Sequence, residues 1–210
     1  METEVVSTVA QVRRTQRERT ETTRAALVGA ARRLFGGEGY ADVGTERVAR
    51  EAAVTRGALY HQFVDKAELF AAVLDEVEAE IAQRMLVAAG GPDPADTASL
   101  LLAGADAFLD ACAEADIQRI VLIDGPSVLG WERWREICLR HSVGLVAALL
   151  ADGMQRGTIP VQPVEPLTHV LVGAVDEAAL YVARAADPAQ ARVEVGVVLR
   201  RLAASITIAV

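Results

Sequence analysis

The stretch "VTRGALYHQFVDKAELF", residues 54–70, decides how this chain is read. It holds an Arg, a Tyr, a His and the only Lys of the chain, in a pattern that predicts a short helix, a break and a second helix. Leu59 and Phe63 lie four apart and point inward. Asp65 and Glu68 form the D-x-x-E version of a capping box, which starts the next helix. That helix carries Leu69, Val73, Val77 and Ile81 at i, i+4 spacing and is predicted to run to about Leu86.

Working upstream, a helical pattern begins at Thr20. Leu27, Ala31 and Leu34 repeat at four and three. The run "GGEG" at 36–39 stops it, as Gly does at a helix C-terminus. It is not a dinucleotide fingerprint, because its spacing is wrong and it follows a helix. A second short helix fits 45–52, with Val48 and Ala52 on one face and Gly44 or Thr45 as its cap. A tight turn at 53–55 then leads into a third helix at 56–62.

Two short helices joined by a three-residue turn and propped on a first helix make a helix-turn-helix. The second helix of such a pair enters the DNA major groove by its N-terminal end, while the first crosses the backbone. The residues at that end suit the task. Thr55 offers a hydroxyl, and Arg56 offers a forked donor set that matches guanine O6 and N7. Gly57 has no bulk, and Tyr60 and His61 follow one turn later. Lys66 sits at the N-terminus of the next helix, where a phosphate is doubly favoured.

Charge agrees with this reading. The net charge of the 210-residue chain is −8. Residues 11–66, however, carry eleven Lys/Arg against seven Asp/Glu, and residues 67–210 carry ten against twenty. An acidic body repels DNA from everywhere except the basic end. Residues 1–19 are polar, end in "RRTQRER" and are expected to form a flexible basic arm or a ragged helix start.

Composition predicts an all-α chain. Over half the residues are apolar, aromatics are scarce and Ala is abundant, which favours helices packed through small side chains. No apolar run reaches the roughly 18 residues of a membrane span. The start has no secretory h-region, and the two cysteines, Cys112 and Cys138, suggest no disulfide framework. A cytoplasmic location is the expectation.

Beyond "AGGPDPADT" at 89–97, the clearest linker, only helical pattern is found. Spans near 95–114, 116–123, 130–156, 164–186 and 188–208 fit, with breaks at "DGPS", "RGTIPVQP" and "ADP". The last two spans have more apolar surface than one helix needs. Two from each of two copies would form a four-helix interface, so a homodimer is expected. A pocket is expected where bulk and polarity enter a small-residue bundle. Phe108, Trp131, Trp134, Cys138, His141, Met154, His169 and Tyr181 qualify. Trp131, Trp134, Cys138 and His141 progress by three, four and three, so they would share one helical face. Such a wall suits an apolar or aromatic ligand.

Cys138 and His141 are too few for a structural zinc site. No nucleophile elbow, P-loop or H-E-x-x-H motif occurs, so neither an enzyme nor a bound metal or cofactor is expected. Asp176 and Glu177 are adjacent, so on a helix they point about 100° apart, poorly placed as a carboxylate pair.

The segments "AARRLFGGEGY" (30–40), "GTERVAREAAVTRGALYHQF" (44–63) and "DKAELF" (65–70) together resemble the TetR-type transcriptional regulators. The resemblance implies phosphate contacts for Thr45, Tyr60 and Lys66, and groove-facing roles for Thr55, Arg56, Gly57 and His61. It also implies an orienting core of Leu34, Phe35, Val48, Leu59 and Phe63. The chain departs from the family pattern at Ala53, where the turn Gly is usual, at Thr55, where Ser is usual, and at Gln62. The stretch "DGPSVLGWERWREI" (124–137) resembles a motif of one subgroup of these regulators.

The expectation is therefore an all-α chain with an arm at 1–19, a three-helix helix-turn-helix domain at 20–70 and a helical ligand-binding and dimerisation domain at 71–210. Its partners would be a double-stranded palindromic operator, a second copy and a small apolar or aromatic effector that releases it from DNA. A helical small-molecule carrier or interaction protein with a vestigial DNA-binding head is the alternative.

Overall fold

The computed structural model describes the backbone of residues 2–90 and 96–208, with side chains from Glu18 onward. All regular structure among them is helical. Two compact units divide the chain, one up to Val73 and one from Leu74.

In the first unit, α1 spans Glu2–Glu38, α2 Thr45–Glu51 and α3 Arg56–Gln62, and α4, Lys66–Ala89, begins there. Residues 2–19, expected as a flexible arm or a ragged helix start, are helical and part of α1. No Gly or Pro interrupts residues 2–28, so nothing local ends the helix there. The stop falls at Gly39, whose φ of 94° is the left-handed value that glycine adopts freely. Its amide closes on the Phe35 carbonyl at 2.8 Å.

The turn between α2 and α3 is a Schellman motif. The Val54 amide donates to the Ala49 carbonyl at 2.9 Å, and the Ala53 amide to Arg50 at 3.1 Å. The motif needs a left-handed residue, and here that residue is Ala53, at φ 55°. Thr55 then caps α3, its hydroxyl accepting from the Ala58 amide at 3.1 Å. Asp65 caps α4 through the Glu68 amide at 2.8 Å. Leu27, Leu34, Phe35, Val48, Leu59, Phe63, Leu69 and Phe70 are buried beneath these helices. Tyr40 joins them, its ring centroid 5.5 Å from Phe35 and 5.3 Å from Phe70.

The second unit contains the rest of α4, then α5 (Thr97–Cys112), α6 (Ala115–Gln118), a π-helical stretch (Arg119–Asp124), α7 (Gly125–Leu129), α8 (Trp131–Arg140), α9 (Ser142–Gln155), α10 (Val164–Arg184) and α11 (Pro188–Ile206). Helices α5, α9, α10 and α11 pack on one another. The linker expected at 89–97 falls largely outside the described residues. The C-terminal segment, with its many Val and Ile, is helical, capped by Asp187 through the Gln190 amide at 3.0 Å.

Two differences from the expected pattern have local causes. "DGPS" does not break the chain, because a π-turn carries it from α6 into α7 with Pro126 in the first turn of α7. In the i→i+5 register the Val121 carbonyl faces residue 126, a proline without an N–H. The Trp134 indole supplies the missing donor at 2.9 Å. Gly125 permits this approach, since a Cβ there would lie 2.8 Å from the Trp134 ring. The helix expected over 130–156 breaks at His141, at φ −124° and ψ −109°, and its halves meet at 60°. Gly144 allows the break, because a Cβ would stand 2.3 Å from the Leu139 carbonyl oxygen.

Candidate functional site

On the first unit, Thr55, Arg56, Gly57, Tyr60 and His61 are all exposed along α3. Their spacing puts Arg56, Gly57, Tyr60 and His61 on one face. The Thr45 hydroxyl at the start of α2 lies 3.1 Å from the Tyr60 hydroxyl. That bond and Arg56 hold the Tyr60 phenol below its usual pKa range. The Arg56 guanidinium lies 5.5 Å over the Tyr60 ring and bonds to Glu46 on α2 at 2.5 Å. A Cβ on Gly57 would meet only the Thr55 hydroxyl, at 3.9 Å, so nothing inside the protein requires glycine there. Lys66 is half-buried, its Nζ 4.0 Å over the Tyr40 ring at the first residue of α4. The structure thus joins Thr45, Arg56 and Tyr60 in one polar surface and adds Glu46, which sequence reasoning missed. Its position beside Thr45 was the available signal.

The second unit holds a partly open cavity of about 240 Å³. Phe108, Trp134 and Cys138 line it. Trp131, His141 and Tyr181 are outside the lining, as are Met154 and His169. Trp131 is 60% exposed at the start of α8, and Tyr181 is 54% exposed on α10. His141 sits at the helix break, so it leaves the face shared by Trp134 and Cys138 and bonds Asp75 Oδ1 at 3.0 Å.

Most of the lining is aliphatic, but one group of polar side chains enters it: Glu78, Arg135, Ser142 and Asp176. Glu78 is 1% exposed, accepting from Ser142 at 2.5 Å and from the Cys138 thiol at 3.4 Å. Burial pushes its carboxyl pKa up despite those donors. Burial also pushes Asp176 up to about 6, against the attraction of Arg135. Arg135 pairs with Asp176 at 3.6 Å and stacks 4.3 Å over Trp134. Its Nε is buried with no acceptor. Both cysteine thiols are buried, and burial raises their pKa values, which suits neither for nucleophilic chemistry. Glu78 escaped the sequence reading, and Asp176 entered it only as a poorly placed neighbour of Glu177. Glu78 follows Leu74 by four and precedes Ile81 by three, so a charge on the apolar stripe of α4 was the signal.

A helix-turn-helix unit joined by one helix to a helical unit with an apolar cavity defines a class of DNA-binding regulators. Residues 27–73 match the family described as bacterial regulatory proteins, tetR family, and residues 98–206 match the tetracyclin repressor-like C-terminal domain. The chain belongs to the TetR family of transcriptional regulators, DNA-binding proteins with an all-α fold.

The Transposon Tn10 TetC protein of Escherichia coli is 26% identical over 162 residues, 75% of this chain and 79% of that protein. The HTH-type transcriptional regulator TtgR of Pseudomonas putida is 47% identical over 66 residues, 31% of each chain. A TetR-family regulator from Pectobacterium atrosepticum, solved as a crystal structure, superimposes with a TM-score of 0.74 at 30% identity. It covers 92% of this chain and 98% of its own. No single helix among the described residues is long and apolar enough to cross a membrane.

Proposed function

We propose that the protein is a homodimeric repressor released from a palindromic operator by a mainly apolar small molecule held in the second-unit cavity. The observation that carries this is the cavity itself, with Glu78 of α4 in its wall. Helix α4 is one unbroken element whose first turn carries Lys66. A ligand that displaces the Glu78 end would therefore act on the helix that leads into the DNA-binding unit. To matter, it must prefer the released state by a few kcal/mol.

Thr55, Arg56, Gly57 and His61 would face the groove, and Thr45, Tyr60 and Lys66 the phosphates. Dimerisation is supported by apolar side chains left in solvent on α10 and α11: Val170 at 66%, Tyr181 at 54% and Val198 at 62%. Two copies would present recognition helices about 34 Å apart, one DNA turn.

The test is a salt-titrated binding assay on genomic fragments that include the DNA upstream of the protein's own coding region. A nanomolar complex on one fragment, weakening steeply with salt, supports the reading. That fragment then serves to find ligands by release. A Val146→Trp variant, which narrows the cavity, should bind the operator but lose its response to ligand. Equal weak binding to every fragment would favour a carrier.

A further inference from the structure

The polar end of the cavity holds one carboxyl more than it holds cations. Glu78 and Asp176 both line it, and Arg135 is the one Lys or Arg among the lining residues. Arg135 reaches Asp176 at 3.6 Å. No ion pair reaches Glu78 among the described residues, and its two donors, Ser142 and Cys138, are uncharged. Glu78 is also the one acidic side chain buried to 1% exposure among the described residues, with aliphatic lining beyond it. A carboxylate in that setting is costly unless a cation joins it.

Resting on the reading of this cavity as the effector site, we infer that the effector is a lipophilic monocation, an amine whose ammonium group is taken up by the Glu78 and Asp176 carboxyls. Its apolar part occupies the space lined by α5, α9, α10 and α11. Charge selects this class. A monocation brings the cluster to two negative and two positive groups. A carboxylate ligand would set three negative groups against Arg135. A neutral alcohol brings no charge, so Glu78 would keep its proton and its carboxylate would add nothing to binding. The bare Nε of Arg135 is the one feature that invites an anion, so an anionic head group is the competitor to test.

The same arrangement couples binding to protons. The charged and titratable groups around the carboxyls are Arg135 and Cys138 of α8, Cys112 of α5, and His141 between α8 and α9. Asp176, with burial holding its pKa near 6, is part-protonated at that pH, and Glu78 is shifted in the same direction. An ammonium that enters must displace protons.

The experiment uses the full chain and three probes with one tail and different heads: n-octylammonium, n-octanol and n-octanoate. Binding is measured by calorimetry at pH 6 in two buffers of different ionisation enthalpy, and operator release is measured in parallel. The expected result is at least tenfold tighter binding of the amine, with proton release seen for the amine alone. Glu78→Gln should weaken the amine tenfold and leave octanol within twofold. Asp176→Asn serves as a second variant should Glu78→Gln fail to fold, and the wild-type proton release needs neither. Octanol or octanoate binding as tightly as the amine, or amine binding without proton release, overturns the inference. If one of those two also frees the operator, the effector reading survives without the cation. If no head group binds or releases DNA, both fall.

Discussion

Arg56 in the first turn of α3 and Glu46 in the first turn of α2 form an ion pair, Nη1 to Oε1 at 2.5 Å, across the helix-turn-helix. Both side chains are well over half exposed, so the pair adds little to stability. Its consequence is positional. One arm of the guanidinium is held toward α2, and the rest stays available at the recognition surface. Arg56→Ala should weaken operator binding by about 1–3 kcal/mol while leaving the oligomeric state unchanged. Glu46→Gln should tighten binding to unrelated DNA and reduce discrimination between operator variants. Fluorescence anisotropy at fixed salt reads both, and equal affinity of Arg56→Ala for the operator would remove Arg56 from the contact surface.

Ala53 occupies the left-handed position of the Schellman turn at φ 55°. A left-handed L-residue costs about 1–2 kcal/mol, and Gly's extra freedom in the unfolded chain gives back roughly 0.5–1. Ala53→Gly should therefore stabilise the protein by about 1 kcal/mol. Urea titration measures this, and a lower midpoint would show that the turn relaxes around the methyl group.

Trp134 closes the polar account of the π-turn. Trp134→Phe keeps an aromatic ring but leaves the Val121 carbonyl without its donor. The expected loss is about 1–3 kcal/mol of folding stability. An unchanged denaturation midpoint would mean that water reaches that carbonyl.

The part-buried Asp176 carboxyl makes stability depend on pH. Its folded pKa, raised from 3.8 to about 6, lies above the unfolded value, so the folded chain holds the proton more tightly. The stability this contributes is full below about pH 4, falls as pH rises through about 6 and is gone above it, roughly 3 kcal/mol in all. Asp176→Asn should flatten the profile in that window. Chemical denaturation at half-unit pH steps checks it, and parallel profiles for the two proteins would show Asp176 to be unshifted.

The head of this molecule was legible because its signals are local. Helical spacing of Leu27, Ala31 and Leu34, the glycine stop and the Asp65 capping box act within a few residues of themselves. The departure at Ala53 pointed to the very residue that takes a positive φ. The body was less legible because its decisive contacts are distant in sequence. His141 leaves its helical face at a break that Gly144 accommodates, with its ring against Asp75. Trp131 shares a spacing with Trp134 but stands at a helix start beside Gly130, whose φ is 75°. Asp176 looked idle beside Glu177, since its partner, Arg135, is 41 positions earlier. Periodicity reports which face of a helix is apolar, not which charges a fold later gathers against it.

Lys66 is the only lysine side chain, and it stands over Tyr40 at the first residue of α4. Amine chemistry on this protein's side chains therefore addresses one atom. Acylating it would erase one positive charge and its contact with the Tyr40 ring in a single step. A photoreactive or fluorescent group attached there would mark every molecule at the same place, beside the proposed DNA-contact surface. Crosslinks could then be assigned to that residue without any substitution in the chain.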